Sequence, residues 1–400
     1  MPVPDPLKAP RRSGYEVVFL QSSRACHHPR HHFRMAASLA RAGYGVRTIA
    51  QRDLGDGHVD AVPIEYLPER RSRVSRMLTG PVTVARALRD DPDVVHVVCL
   101  DLLPWALLAR MLKPQIVVLY DSNEEYDLLI GMKDWLPARL RPIVASLVRR
   151  WEPRLAARLH GVTVAVPATQ ERFETCGARP VLVRNFVPRE LAAEGAREAD
   201  FRYDVLFGGS LTELQIPLLA ATATRLRDFL GRPVRWLCAV RHLDTRTERL
   251  LDSVLREQGL RDDFSILANR PFDEMQRLAC ESAVAFAPYP ADALNRIALP
   301  MRLFEYMAWG VPFVTSELPA LTKLLGDQEV GVFAPAGDAQ GYARALARML
   351  ANPALGRMCG RNGLQLSYTL LTWEGEAARL VEFYDELLGI GEEQVLPEAA

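Results

Sequence analysis

The residues best suited to chemistry lie in Leu299–Ser316, which reads LPMRLFEYMAWGVPFVTS. Pro300 suits the first turn of a helix, where the missing N–H costs nothing. The helix is predicted over Met301–Trp309 and ends at Gly310, with a strand over Val311–Thr315. The N–H groups that open such a helix lack intrahelical partners. With the helix dipole they make an anion site that fits a diphosphate. Met301, Arg302 and Leu303 form this opening turn. Arg302 can fork two hydrogen bonds onto phosphate oxygens, and Glu305, one turn on, can accept both hydroxyls of a ribose. The same spacing also permits a plain i,i+3 ion pair between Arg302 and Glu305 on an exposed face.

A second cluster, CHHPRHH over Cys26–His32, follows the first apolar run. His27 and His31 stand i,i+4, a spacing that can chelate a metal, but no acidic or cysteine partner follows at ligand spacing. No metal is expected there. An acceptor-side role for His27, His28 or Arg30 fits better, with a histidine as the base.

These residues need a frame to hold them. Short apolar runs alternate with helical patterns: Tyr15–Gln21, Gly45–Ala50, Val94–Cys99, Ile116–Tyr120, Gly161–Val166 and Val181–Arg184 read as buried strands, with a helix over Phe33–Arg41. Such alternation without hairpin signals predicts a parallel sheet covered on both faces. The pattern breaks over Phe186–Tyr203 and restarts with strands over Asp204–Gly209, Val234–Val240, Phe264–Ala268, Val284–Pro288 and Pro312–Thr315. The expected organisation is a first α/β domain over 1–187, a linker over 188–203 and a second α/β domain over 204–372. A helix from Trp373 to about Leu388, within 373–400, is expected to return to the first domain. Both domains are doubly wound and Rossmann-like, and a cleft between them would take ligands at the strand carboxyl ends.

The 400 residues are 49% apolar and 24% charged, a globular composition. Lys+Arg and Asp+Glu both number 49, but residues 1–200 hold 29 basic and 23 acidic side chains, leaving the second half acidic. A basic first half suits an anionic partner such as a membrane surface or a charged acceptor, or simply an acidic neighbour. Arg139–Arg158 reads as a basic helix flanked by Trp135 and Trp151, a candidate surface for anionic lipid. A solvated basic face over an ordinary core stripe accounts for the same pattern. No motif points to nucleic acid. Six cysteines without CxxC spacing, no signal-type apolar segment and no long apolar run suggest a cytoplasmic chain, peripheral on the inner face of a membrane if it meets one.

FEYMAWGVPFVTS resembles the donor-site signature of glycosyltransferase family 4 and its GT-B relatives, often P-x-K-x-x-E-Y-M-A-x-G-x-P-V-V. The resemblance extends to HVVCLDLLPWALL (96–108), VLYDSNEEY (118–126), NFVP (185–188) and FGGSLTELQIPLLAA (207–221), in family order along nearly the whole chain. It implies a GT-B fold and transfer of a hexosyl unit from a nucleotide sugar to a glycan, lipid-linked or small-molecule hydroxyl, with no bound cofactor or metal and with retention of configuration. It implies Glu305 on the donor ribose, Arg302 on the diphosphate, Gly209 and Ser210 against the phosphates, and Tyr289 lining the site.

The chain also departs from that pattern. Ile297 stands where retaining members carry Glu, Asn123 replaces the histidine of Y-D-x-H-E, Val98–Leu100 replace H-D-P, and Gln215 replaces a basic residue. Asp121, Glu124 and Glu125 remain as carboxylates beside Asn123, and Arg241 or Arg296 could supply the missing phosphate contact. Two other readings stay open: a catalytically weak or silent GT-B-like protein that binds a nucleotide or partner, and a GT-B nucleotide-sugar epimerase, which the missing acid pairs disfavour.

Overall fold

A computed structural model of the chain describes residues 12–25, 28–51, 62–68, 78–133, 136–192, 200–240, 243–268 and 272–390. The chain forms two compact units, residues 1–185 with 374–400, and residues 186–373. Of the expected linker, 193–199 lie outside the described residues. Phe186 and Val187, assigned from the sequence to the first domain, are buried in the core of the second unit, where Phe186 packs edge-on against Phe304. Their apolar surface makes them part of that core and not a spacer.

The first unit holds seven parallel strands: β1 (Glu16–Ala25), β2 (Gly45–Gln51), β3 (Ile64–Leu67), β4 (Val94–Val97), β5 (Val117–Ser122), β6 (Gly161–Val164) and β7 (Pro180–Leu182). Their order is β3-β2-β1-β4-β5-β6-β7. The second unit holds β8 (Tyr203–Gly209), β9 (Trp236–Val240), β10 (Phe264–Ala268), β11 (Ser282–Ala287), β12 (Phe313–Ser316) and β13 (Gly331–Ala334), in the order β10-β9-β8-β11-β12-β13. Counted within its own unit, each sheet begins 3-2-1-4-5-6. That is the doubly wound order, and the strand sequence reverses between β1 and β4 and between β8 and β11. Central strands such as β4, β6 and β9 are buried at every position, as covered parallel strands must be. The edge strands β3 and β13 carry only short, half-buried runs, so their patterns do not stand out in the sequence.

The expected helix over Phe33–Arg41 starts earlier and in another form. Pro29–Ala36 winds as a π-helix and continues as α-helix over Ala37–Arg41. The wider turn turns Arg30, His31, His32 and Arg34 into the protein, where all four are buried. The helix Trp373–Leu388 counts with the first unit from Glu374 onward. Asp385 accepts from Arg12 at 2.8 and 2.6 Å and from Tyr44 Oη at 2.6 Å, and Arg184 donates to Glu376 at 3.0 Å. Phe383 lies over Gly161, where an added Cβ would come within 2.3 Å of its ring.

In the second unit two apolar layers sandwich the sheet. One is built around Trp236, which stacks on Phe264 at 5.2 Å, and the other around Tyr306, Trp309 and Phe313. The helix Pro353–Thr369 crosses the end of the helix Met301–Ala308 closely. A Cβ on Gly360 would sit 2.3 Å from the carbonyl oxygen of Gly310, whereas one on Gly356 would find its nearest neighbour, Pro312, at 3.8 Å. Gly360→Ala is therefore expected to lower stability by about 1–3 kcal/mol through overpacking. Gly356→Ala should be neutral or stabilising by roughly 1 kcal/mol, because helical Gly→Ala reduces backbone freedom. Urea unfolding midpoints of the two variants measure the contrast.

Candidate active site

In the second unit the site begins at the switch point between β8 and β11. Gly209 ends β8 with φ +121°, a conformation that side chains resist. Arg302 Nε lies 3.9 Å from where its Cβ would stand. Arg302 and Glu305 pair at 3.1 Å on the helix Met301–Ala308. The i,i+3 pair foreseen as the ligand-free alternative exists, but not on an exposed face: Glu305 is only 5% exposed. Burial works against the charge of Arg302, and Glu305, Tyr306 and Tyr289 together more than restore it, leaving the guanidinium pKa raised.

Pro300 takes the cap position of this helix in extended conformation, and no side chain caps the N-terminus. Residues 303–308 are all buried, which locks the helix on the sheet. Tyr289 follows β11 and is pinned by its backbone: its N–H donates to Ser316 Oγ at 2.7 Å, and its carbonyl accepts from the same hydroxyl at 2.7 Å. Burial pushes the Tyr289 phenol well up, so it stays a neutral hydrogen-bonding group. Tyr306 is fully buried and its hydroxyl has no hydrogen-bond partner among the described residues; a Cβ on Gly208 would lie 2.5 Å from it. Gly208 and Gly209 thus let the loop after β8 descend onto Tyr306 and Arg302.

The first unit gathers a different set at the carboxyl ends of its own strands. Asp121, at the end of β5, is fully buried. Arg30 reaches it with Nη2 at 2.8 Å and Nε at 3.1 Å, and ties it through Nη1 to the Val183 carbonyl at 2.6 Å and Asn185 Oδ1 at 2.9 Å. His31 Nε2 lies 2.8 Å from the other carboxylate oxygen. Burial alone would push the Asp121 carboxyl up, but Arg30 and His31 hold it well below the usual carboxylate range. An ionised carboxylate only accepts, so His31 Nε2 carries a proton and Thr163 Oγ1, at 2.5 Å, donates.

A directed chain of hydrogen bonds follows. Burial pushes His96 down to about 3, so its ring is neutral. His96 Nε2–H then donates to Thr163 at 3.2 Å, and Tyr384 Oη donates to His96 Nδ1 at 2.6 Å. Nearby, Glu152 accepts from Tyr120 at 2.9 Å and Ser122 at 2.8 Å, while Glu125 accepts from Thr169 and pairs with Arg172 at 3.1 Å. Burial pushes Glu125 up to about 7, with Arg172 only partly opposing it.

The structure sorts the candidates. Arg302, Glu305, Gly209 and Tyr289 come together, and Met301 stands partly buried in the helix opening. Ser210 is exposed just past β8. Leu303 is corrected: its side chain is fully buried in the apolar core, and its N–H is bonded to the Pro300 carbonyl at 3.2 Å, so it faces no donor. Asp121, a catalytic candidate from the sequence, is fully buried and bonded by Arg30, His31 and Thr163. Asn123 and Glu124 lie partly buried just beyond it. His27 and Arg241 lie outside the described residues, and Arg296 is exposed. Gln215 accepts from Thr212 N and Oγ1, both at 3.0 Å, and so shapes the turn before the helix Ile216–Leu230.

The sequence reading did not find Thr163, His96 with Tyr384, or Tyr306. The in-register pairs Phe19–His96, His96–Leu119 and Asp121–Thr163 put His96, Asp121 and Thr163 on one sheet face, a signal that exists only once register is known. Among the described residues no group of three or more His, Cys, Asp or Glu is placed to hold a metal ion.

Comparison with known proteins follows the same two halves. Residues 29–189 match the model "Glycosyl transferase 4-like domain" and residues 202–352 match "Glycosyl transferases group 1". The chain belongs to the family 4-like glycosyltransferases, and its fold is GT-B. The amylovoran biosynthesis glycosyltransferase AmsK of Erwinia amylovora is 30% identical over 103 residues, 26% of this chain and 25% of that protein. The phosphatidyl-myo-inositol mannosyltransferase of Mycobacterium leprae is 34% identical over 89 residues, 22% and 24% of the two chains. The chain thus spans about a quarter of the length of the curated relatives it matches. Among solved structures, sucrose-phosphate synthase from Thermosynechococcus elongatus superposes with a TM-score of 0.70 at 17% identity, covering 94% of this chain and 99% of that one. Anabaena Alr3699/HepE in complex with UDP and glucose gives 0.64 at 15% identity, with 92% and 99% covered.

His96 makes acid stability testable. Its folded pKa lies below the unfolded value, so the unfolded chain binds the extra proton and stability falls as pH drops below about 6.5. Between pH 7 and pH 5 the expected loss from this group is about 2 kcal/mol. His96→Gln keeps groups that can bond Tyr384 and Thr163 and should flatten that part of the pH dependence, measured by urea unfolding of both proteins at the two pH values.

Proposed function

We propose that the chain transfers a hexosyl unit from a nucleoside-diphosphate sugar to an acceptor hydroxyl on a glycan, a lipid-linked saccharide or a small metabolite. The observation that carries this reading is the buried Arg302–Glu305 pair set against Gly209 at the switch point of the second sheet. Glu305 has the acceptor oxygens a ribose diol needs. Arg302 has five N–H donors, so it can keep Glu305 oriented and still fork onto phosphate. Together with the open helix N-terminus it opposes the charge that builds on the departing diphosphate. The UDP and UDP-glucose named in the Alr3699/HepE structures support a uridine nucleotide as the first to try. Retention of configuration is the family expectation carried into the proposal.

Incubation with a panel of UDP- and GDP-sugars should release nucleoside diphosphate from at least one donor, and UDP or GDP alone should raise the melting temperature. Glu305→Gln should abolish that stabilisation. A folded variant stabilised as well as the parent places the donor elsewhere. Release from no donor, with stabilisation by nucleotide intact, favours the silent nucleotide-binding protein instead.

We further propose that the first unit rests on an anionic membrane. The helix Arg141–Ala156 exposes Ile143, Leu147 and Trp151, with Leu140 just before it, among Arg149, Arg150 and Arg154. Trp151 is 62% exposed, a poor place for a soluble core residue and a good one for a lipid interface. The neighbouring helix Leu103–Leu112 donates from Arg110 to the Arg158 carbonyl and adds exposed Met111 and Leu112. No helix among the described residues is long and apolar enough to cross a membrane. The protein should co-sediment with vesicles rich in anionic lipid and not with neutral ones, and Ile143→Glu/Leu147→Glu should reduce binding by about tenfold or more.

A further inference from the structure

The second unit carries a cavity at the end of its sheet away from the strand carboxyl ends. It opens among the starts of β8, β11 and β12 and the helix Pro353–Thr369, and has a volume of about 490 Å³. Small-molecule pockets run from roughly 300 to 1,000 Å³. β8 is seven residues long. At about 3.3 Å per residue its two ends lie roughly 20 Å apart, so the cavity is separate from the Arg302–Glu305 site.

The walls are mostly apolar, with Phe201, Val284, Met349 and Leu364 among them, and the rim is basic. Six charged side chains line it: Arg232, Arg235, Arg357, Arg361, Asp200 and Asp204. Asp204 is already taken, accepting from Arg232 at 3.2 Å and from Arg235 at 3.2 Å and, through its backbone N–H, at 2.8 Å. Arg357 and Arg361 stand i,i+4 on one helix face, exposed, and among the described residues neither makes an ion pair or a hydrogen bond. Two cations one turn apart over an apolar hollow suit an anionic head on a hydrocarbon body. Gly356 also lines the hollow, and a Cβ there would meet nothing nearer than Pro312 at 3.8 Å, so the space beside it is open.

We propose that this cavity binds a soluble amphipathic anion, its alkyl body between the helix Pro353–Thr369 and the start of β11 and its phosphate or carboxylate head on Arg357 and Arg361. The site is independent of the donor site, so its fate does not depend on the transfer reaction.

Isothermal titration of the full chain with monomeric decyl phosphate tests it. One saturable site per chain is expected, with inorganic phosphate and decanol each binding about tenfold or more weakly, because each supplies only half of the contact. Arg357→Glu/Arg361→Glu changes only exposed positions and should abolish binding. Gly356→Leu fills the hollow and should do the same while leaving the melting temperature within a few degrees of the parent. Absence of saturable binding, or decyl phosphate bound equally well by the charge-reversed protein, overturns the proposal. Should Gly356→Leu fail to fold, the charge-reversed protein decides alone. Inorganic phosphate bound as tightly as decyl phosphate would also overturn it, by showing a surface anion site with no use for the hollow.

Discussion

A carboxylate cannot be buried alone. Asp121 has no exposed surface, and an isolated charge there would cost far more than the unit's whole stability. Arg30 answers that charge, and in doing so it holds three parts of the chain together: the π-helix after β1, the end of β5 and the segment after β7. His31 and Thr163 complete the shell. Through Thr163 and His96 the same network reaches Tyr384 on the last helix, so the first unit is tied from its first strand to its final helix by one run of oriented donors. The π-helix is part of this solution. A plain α-helix would distribute Arg30, His31, His32 and Arg34 differently around its axis, whereas here all four point inward.

The second unit repeats the topology with a different answer to the same electrostatic constraint. Its buried carboxylate, Glu305, pairs with Arg302 one turn away on the same helix. Asp121 is bonded on both oxygens by Arg30 and His31 of the π-helix and Thr163 of β6, so it is suited to holding geometry. Glu305 lies on a helix whose start has no side-chain cap, close to the positive-φ Gly209. Two sheets of one strand order thus each hold a buried carboxylate near the carboxyl ends of their strands, in different surroundings.

The glycines of the second unit show how narrowly its helices are set. Gly208 clears Tyr306, and Gly360 clears the Gly310 carbonyl; both are close approaches that any side chain would push apart. The helix Met301–Ala308 lies between them, with Glu305 near its start and Gly310 just past its end. One short buried helix therefore carries the Arg302–Glu305 pair, while Gly310, just past its end, lines the basic-rimmed hollow.

Much of this was determined by the sequence alone. Apolar runs of strand length separated by helical patterns specify two parallel sheets, because only a covered sheet buries such runs on both faces. Pro300, Arg302 and Glu305 mark a helix opening with a cation and a carboxylate one turn apart, because their spacing is local and survives without knowledge of the fold. The edge strands β3 and β13 were not legible, since half-buried short runs look like loops. Tertiary structure alone decided the roles of residues whose partners are distant in the chain. Asp121 is 91 residues from Arg30, and His96 is 288 from Tyr384, so no local pattern links them. It also decided that Leu303 faces the core and that the Arg302–Glu305 pair is buried. Spacing specifies which side chains share a helix face, but only packing decides whether that face meets solvent, core or ligand.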